Sequence, residues 1–159
     1  MSMLGCIHRN TQVVGNVGAG LDNLHSFTLP AGSLANDGDY VSVSYGGEFA
    51  TNANSKRVQV TFGGQVVSNN TQAQNSGAWS YIITYVRVSS TTVRATGQFT
   101  WHFASVAGGF VNTLYGTVGG GLLTVADLNS NGMVMLIQGE GVADNDITQN
   151  LSVIELCQQ

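Results

Sequence analysis

The segment Val93–Phe103 alternates in polarity along its whole length: its odd positions are apolar or small, and its even positions are polar. A repeat of two residues is that of a β-strand with one face in a core and the other face in water. The segments Val41–Phe49 and Arg57–Phe62 alternate in the same way, and nothing in the chain resembles a long amphipathic helix. The alternation therefore predicts an all-β fold.

Strand candidates follow one another along most of the chain and are separated by residues that favour turns. They are Leu24–Leu29, Asp39–Phe49, Arg57–Phe62, Gln65–Ser68, Trp79–Val88, Thr92–Phe103, Val111–Val118, Leu122–Val125, Met133–Glu140 and Ile147–Cys157. Two of the turns, Gly63-Gly64 and Asn131-Gly132, are dipeptides that two-residue hairpin turns prefer. Many short strands at regular spacing predict a β-sandwich or a β-barrel.

The chain of 159 residues has the length of a single domain. Residues 1–20 are rich in glycine and irregular in pattern, with one short strand expected near Gln12–Val14. We therefore predict a short irregular N-terminal arm at residues 1–20 and a single β-domain at residues 21–159.

Charged residues make up only 9% of the chain, against roughly 25% in an ordinary soluble domain. The net charge is −4, and the few basic residues are scattered apart from Lys56-Arg57. Nucleic acids and anionic membranes bind clusters of Lys and Arg, so neither is expected as a partner. A chain this poor in charge is expected to cover much of its surface with other copies of itself or with other proteins.

Three segments carry apolar residues on both faces: Tyr81–Val86, Met133–Ile137 and Val153–Cys157. A strand that is apolar on both faces must be covered on both, and in a two-layer sandwich the second cover comes from outside. We therefore expect an oligomer interface at these strands. The residues expected in that interface are Tyr81, Ile83, Tyr85, Met133, Met135, Ile154 and Leu156. The alternative is cover by the N-terminal arm or by a loop at Val106–Gly121.

The sequence carries no signature of catalysis or of a cofactor site: it has no HExxH, no GxSxG and no phosphate-binding loop ending in GK[ST]. His8, His25 and His102 lack the spacing of a metal site, so each is expected at the surface. We predict a protein without enzymatic activity, cofactor or metal. A hydrolase with dispersed catalytic residues is the less favoured alternative.

Two turns contain acidic residues, Asn36–Asp39 and Asp144–Asp146. Their side-chain oxygens are of the kind that binds Ca²⁺, and Asp37 and Asp39 could form the carboxylate pair of a glycosidase. Because Asp and Asn in turns usually hydrogen-bond their own backbone, we expect a structural role for both turns.

Exposed aromatic side chains would give a platform for sugars, as in carbohydrate-binding β-sandwiches. The candidates are Trp79, Tyr81, Tyr85, Trp101, Phe110 and Tyr115. Tyr81 and Trp101 occupy strand positions that suit a core, whereas Phe110 and Tyr115 lie beside glycines and are freer to contact a partner. We expect core or subunit contacts from these residues rather than sugar binding.

Cys6 and Cys157 stand near opposite ends of the chain and either pair or remain free thiols. The sequence has no apolar run of about 18 residues that could cross a membrane as a helix, and no pattern of a secretory signal. Synthesis in a cytoplasm is therefore expected, and it favours two free thiols.

A longer pattern runs through the first half of the chain. The segment LPAGSLANDGD at residues 29–39 is followed by FATNANSKRV at residues 49–58 and by FGG at residues 62–64. This succession, together with Trp79 and a closing strand at Ile147–Leu156, resembles a pattern of virion surface proteins of tailed bacteriophages. The resemblance extends over residues 24–157.

The resemblance implies a jelly-roll β-sandwich that forms a homotrimer and has no catalytic residues. The residues that match it are structural: Asp37, Gly38, Asn52, Asn54, Gly63, Gly64 and the pair Lys56-Arg57. The function that it implies is that of a capsid decoration, or cement, protein, which binds the major capsid protein on the virion surface and stabilises the capsid lattice. The alternative is a head-fibre, tail-fibre or baseplate component that binds a host receptor or surface carbohydrate.

The absence of a fibre shaft favours the cement protein over a fibre. On that interpretation the protein is made in the host cytoplasm and is located on the capsid. We expect the capsid to be contacted by Leu4, Ile7 and Arg9 of the arm, with Phe110 and Tyr115 as the next candidates.

Overall fold

The fold was determined as a computed structural model, which describes residues 3–73, 76–104, 111–118 and 121–159. Side chains are described for residues 5–71, 76–101 and 121–159. In these ranges the regular structure consists of strands, and no helix is long and apolar enough to cross a membrane. The strands are β1 Met3–Asn10, β2 Val14–Gly15, β3 Gly20–Leu29, β4 Tyr40–Phe49, β5 Ser55–Phe62, β6 Gln65–Ala73, β7 Gly77–Ser89, β8 Thr92–Ala104, β9 Val111–Val118, β10 Leu122–Thr124, β11 Met133–Gly141 and β12 Ile147–Gln158.

The strands form two antiparallel sheets that pack face to face. The large sheet has the order β1-β12-β4-β7-β8-β10, with β2 also paired to β12 and β9 also paired to β8. The small sheet has the order β3-β11-β5-β6. The prediction of an all-β sandwich is confirmed.

The path of the chain between the sheets is that of a jelly roll. Strands β1, β4, β7 and β12 lie in the large sheet in the order β1-β12-β4-β7, opposite β3-β11-β5-β6. The chain crosses between the sheets on going from β2 to β3, from β3 to β4 and from β4 to β5. It crosses again from β6 to β7, from β10 to β11 and from β11 to β12. Strands β8, β9 and β10 extend the large sheet beyond β7.

Strand β8 shows why the alternating sequence forms this sandwich. Val93, Ala95, Phe99 and Trp101 are all buried between the sheets, as their odd positions predict. Among the positions of β8 with described burial, Gly97 is the remaining inward one, and a Cβ there would lie 2.3 Å from the carbonyl oxygen of Ile82 on β7. Glycine is therefore required at this point because the two strands approach too closely for a side chain.

The two predicted hairpin turns have different outcomes. Gly63 and Gly64 have φ values of 55° and 81°, and they join β5 to β6 as a two-residue hairpin. A pair of positive φ angles is what a type I′ turn requires, so this prediction is confirmed. The prediction at Asn131-Gly132 is wrong, because these residues lead from β10 in the large sheet to β11 in the small sheet.

The N-terminal segment differs from the irregular arm that its sequence suggests. Residues Met3–Asn10 form β1 and pair with β12 along the edge of the large sheet. A bulge between Cys6 and His8 shifts the register, and this shift hides the alternation from a reading of the sequence. The short strand expected near Gln12–Val14 is present as β2, Val14–Gly15.

Candidate functional site

The side chains predicted to form an oligomer interface lie in the core of a single copy. Tyr81, Ile83, Tyr85, Met133, Met135 and Ile154 are all buried, and Leu156 is partly buried against the same core. Because these side chains are buried inside one copy, contact with a second copy must come from other residues of the same strands. Among their outward neighbours, Ile82 on β7 and Val134 on β11 are exposed, at 56% and 42%.

The outer face of the large sheet carries a broad patch without charge, which we call the uncharged face. It consists of Ser42, Ser44, Ser80, Ile82, Thr84, Thr96, Gln98, Thr100, Leu151 and Val153. These positions alternate with the buried residues of β4, β7, β8 and β12. Charged side chains begin at the margins of the patch, with Arg9 on β1 beside Val153, Glu48 on β4, Arg94 on β8 and Glu155 on β12.

The centre of the uncharged face is slightly concave. A depression of about 350 Å³ is lined there by Ile82, Thr84, Thr96, Gly97 and Gln98. Its lining combines hydroxyl and amide groups with one large exposed apolar side chain and has no ionisable group. Such a surface can pack against another protein without desolvating a charge.

The residues predicted to contact a capsid do not converge on one site. Ile7 is 39% exposed and Arg9 is exposed, both on the edge strand β1. The backbone of Leu4 lies opposite Cys157, but its side chain is outside the described residues.

Of the two loop candidates, Tyr115 lies on β9, and its backbone pairs with Thr100 of β8. This position is near the opposite edge of the large sheet from β1. The side chain of Tyr115 and the whole of Phe110 are outside the described residues. The arm residues and the backbone of Tyr115 therefore belong to separate surfaces.

A buried polar cluster fixes the loops at one end of the sandwich. The carboxylate of Asp146 has no exposed surface and accepts hydrogen bonds from the Asn52 and Asn54 side-chain amides at 2.6 and 2.9 Å. It also accepts the backbone N–H groups of Val142 and Ala143, both at 2.8 Å. Burial alone would raise the pKa of Asp146, but these hydrogen bonds outweigh it and hold the pKa well below its usual range.

Lys56, the single lysine of the chain, belongs to the same cluster and is fully buried. Its ammonium group donates to the carbonyl and the side-chain oxygen of Asn52 at 2.9 and 2.8 Å, and to the carbonyl of Asn54 at 3.1 Å. Burial lowers the pKa of Lys56, and the charge of Asp146 partly offsets that effect. The NANSK segment is therefore structural here, because it ties the β4–β5 loop to the β11–β12 loop.

The opposite end of the sandwich is held by Arg87 and the DGD turn. Arg87 donates to Asp37 at 3.0 Å, to Asn129 at 2.8 Å and to the carbonyl of Leu34. Asp39 is fully buried and accepts the backbone N–H groups of Asn36 and Gln159. Asp37 thus pairs with Arg87, whereas Asp39 holds the turn and the C-terminal residue and is not open to a substrate.

His8 and His25 meet at the edge of the sandwich, although their positions in the sequence gave no sign of contact. Their Nε2 atoms are 2.9 Å apart, and Nδ1 of His25 lies 3.3 Å from the hydroxyl of Ser152. Since one Nε2 must donate and the other must accept, at least one of the two rings is neutral. Burial, and secondarily the charge of His8, lowers the pKa of His25.

The aromatic residues with described side chains do not form a sugar platform. Trp79, Tyr81, Tyr85 and Trp101 are each at most 1% exposed. Cys6 and Cys157 do not form a disulfide: Cys6 is exposed beside Glu155 of β12, and Cys157 is buried. Among the residues whose positions are described, no group of three or more His, Cys, Asp or Glu side chains could hold a metal ion.

Comparison with known proteins gives little guidance to function. No protein-family model matches the chain, and no curated protein matches it. A solved structure of a protein of unknown function from Shewanella oneidensis MR-1 is similar over 97% of this chain and 78% of that chain, with 9% identity and a TM-score of 0.42. A likeness at that TM-score carries no argument about function.

Proposed function

We propose that the protein is a non-enzymatic structural protein of a virion surface, a homotrimeric capsid decoration protein that binds and stabilises the lattice of a major capsid protein. The observation that carries the proposal is the uncharged face on the outer side of the large sheet. An exposed sheet face of this breadth without a charge is unusual for a surface that meets only water.

The charge of the chain favours other copies of itself as the occupant of this face. Each copy has a net charge of −4, so most approaches between copies bring like charges together. The uncharged face avoids that repulsion, and Ile82, Leu151 and Val153 supply apolar surface for contact. Burying an exposed aliphatic side chain contributes roughly 1.5–3 kcal/mol.

The capsid contact is assigned to the edge of the large sheet that β1 forms. Ile7 and Arg9 are exposed there, on a strand whose outer edge has no neighbour among the described strands. An unpaired strand edge accepts a further strand or loop from a partner. Leu4 continues this strand, and Phe110 and Tyr115 are the next candidates for contact with the capsid.

Antibody labelling of native particles tests the location. Gold-labelled antibody against this chain is applied to intact virions from cells that produce it and is imaged by negative-stain electron microscopy. Label spread over the capsid is the expected result. Label confined to the tail would replace the cement function with that of a tail-fibre or baseplate component, and unlabelled particles would refute a virion role.

A further inference from the structure

A second surface, on the outer face of the small sheet, has the features of a ligand site. A depression of about 210 Å³ is lined there by Ser55, Arg57, Thr71, Glu140, Gly141 and Val142. Glu140, Arg57 and Thr71 are direct neighbours across β11, β5 and β6, so their side chains form one row across the sheet. We name this depression the Arg57 pocket.

Arg57 contributes a hydrogen-bond donor that the protein does not use. One of its terminal amino groups contacts Glu140 in an ion pair, but its Nε–H is shielded from solvent and has no acceptor among the described residues. Buried donors are nearly always paired in folded proteins. A water or ligand oxygen does not reach this Nε–H in the conformation of the structure. Because the Arg57 side chain is 32% exposed, we expect a small rotation of the guanidinium group to bring the Nε–H to an acceptor in the depression.

The wall of the Arg57 pocket is rigid because the Asp146 cluster holds it. Asp146 accepts the N–H of Val142, and a Cβ on Gly141 would lie 2.5 Å from the Cβ of Asp146. The turn that closes the pocket therefore has little freedom to move. A wall that is fixed before binding lowers the entropy cost of binding a ligand.

The charges of the pocket select a neutral ligand. Arg57 and Glu140 carry opposite charges and touch each other, so an anion would meet the carboxylate and a cation would meet the guanidinium group. A hydroxyl group both donates and accepts, and it can therefore satisfy Glu140 and the Nε–H of Arg57 together. Ser55 and Thr71 add hydroxyl groups of their own at the rim.

The size of the pocket corresponds to one sugar ring. The volume of about 210 Å³ lies below the roughly 300–1,000 Å³ of pockets that hold drug-sized ligands, and is on the scale of a monosaccharide. Next to it, Gln59 donates to Gln138 at 3.2 Å, and Gln138 donates to Asn23 at 3.0 Å. This amide row extends the polar surface along the sheet for further sugar units.

We propose that the Arg57 pocket binds a neutral, polyhydroxylated ligand, namely a hexose unit of a glycan. The site is distinct from the uncharged face and does not depend on the proposed trimer. It also differs from an aromatic sugar platform, since it recognises hydroxyl groups by hydrogen bonds.

Nuclear magnetic resonance of the full chain tests this proposal directly. Glucose, galactose and mannose are titrated separately, and the ¹H–¹⁵N signal of the Arg57 side-chain Nε–H is followed, with its assignment made from its loss in Arg57→Lys. At least one sugar is expected to shift this signal saturably, with half-saturation on the order of 1–10 mM, a range in which weak ligands bind. The Nε–H signal of Arg94, which lies on the other sheet, is expected to stay in place.

Two variants locate the ligand. Thr71→Val and Glu140→Gln are each expected to weaken binding about tenfold, whereas Thr96→Val, which changes an equally exposed strand threonine on the uncharged face, leaves it unchanged. Saturable shifts caused by phosphate instead of sugar would overturn the neutral ligand class. No shift with any of the three sugars at about 100 mM, or full affinity in both pocket variants, would overturn the site.

Discussion

Replacement of Asp146 by asparagine is the sharpest test of the polar cluster that fixes the loops. The substitution keeps the shape of the side chain but turns one acceptor oxygen into an NH₂ group. One oxygen of Asp146 accepts from Asn52 and Asn54, and the other accepts from Val142 and Ala143 as well as Asn54. In either orientation, the NH₂ group of the new amide therefore faces an N–H donor of a neighbouring residue.

The neighbours cannot adapt to this change by turning over. Rotation of the Asn52 amide would withdraw its oxygen from the ammonium of Lys56 and from the backbone N–H of Asn54, at 2.8 and 3.1 Å. The loss of a hydrogen bond to a charged group costs about 1.5–3 kcal/mol, and an unsatisfied buried donor costs about 1–3 kcal/mol more. We expect Asp146→Asn to lower the free energy of unfolding by about 3–5 kcal/mol, a large part of the total for a domain of this size.

Urea denaturation followed by tryptophan fluorescence measures this loss, with Asp144→Asn as the matched control. Asp144 is exposed in the same loop, and its contact is the N–H of Gly18, which an amide oxygen can also accept. The control is expected to change stability by less than about 1 kcal/mol. Asp146→Asn within about 1 kcal/mol of the wild type at pH 7 would refute the role assigned to the cluster.

The effect of pH gives a second readout for the same variant. The pKa of Asp146 is held below that of the unfolded chain, about 3.9. Its ionised form therefore stabilises the fold at neutral pH, and this contribution declines as the pH falls below about 4. The difference in stability between the wild type and Asp146→Asn is expected to narrow over the same acid range.

Two further predictions concern the sheet edge formed by β1. The folded protein lowers the pKa of His25 below its unfolded value of about 6.5, so the wild type should lose stability as the pH falls from 7 to 5.5. In urea denaturation His25→Phe should lose less stability over this range, and equal losses in the two proteins would contradict the role of His25. Deletion of residues 1–12 removes β1 and its ladder with β12 and should lower the free energy of unfolding by about 3 kcal/mol or more. An unchanged thermal midpoint would show that β1 is dispensable.

The strands were predictable from the sequence because alternation reports burial directly. In β8 the core positions Val93, Ala95, Phe99 and Trp101 were assigned correctly, and Gly63-Gly64 gave the right hairpin. The jelly-roll order was not available from alternation, since the pairing of β4 with β7 and β12 joins strands that are distant in sequence. The resemblance to virion proteins implied a jelly roll in general, and no strand order was predicted.

The clusters were missed because they join residues that lie far apart in the chain. Asn52 and Asp146 are separated by 94 positions, and His8 and His25 by 17. One signal was available for Lys56: it shares the parity of Val58 and Val60 in β5 and therefore points inward. A buried lysine requires several acceptors, and that requirement already indicates a polar cluster.

The expected interface residues were misplaced for a related reason. Strand β7 has apolar side chains on both faces, and composition alone does not say which face is covered by the second sheet. The structure places Tyr81, Ile83 and Tyr85 inside and leaves Ile82 outside. We therefore expect the partner surface on the opposite face of β7, the face that carries Ile82.

The mass of the protein in solution, measured by light scattering during size-exclusion chromatography, tests the assembly through the uncharged face most directly. A trimer of the 16.6 kDa chain has a mass of about 50 kDa. The wild type and the control Val66→Glu, whose valine is 55% exposed on the small sheet, are expected at that mass, and Ile82→Glu, at 56% exposure on the uncharged face, is expected at the monomer mass. A monomeric wild type, or a trimer that survives Ile82→Glu, would contradict assembly through this face.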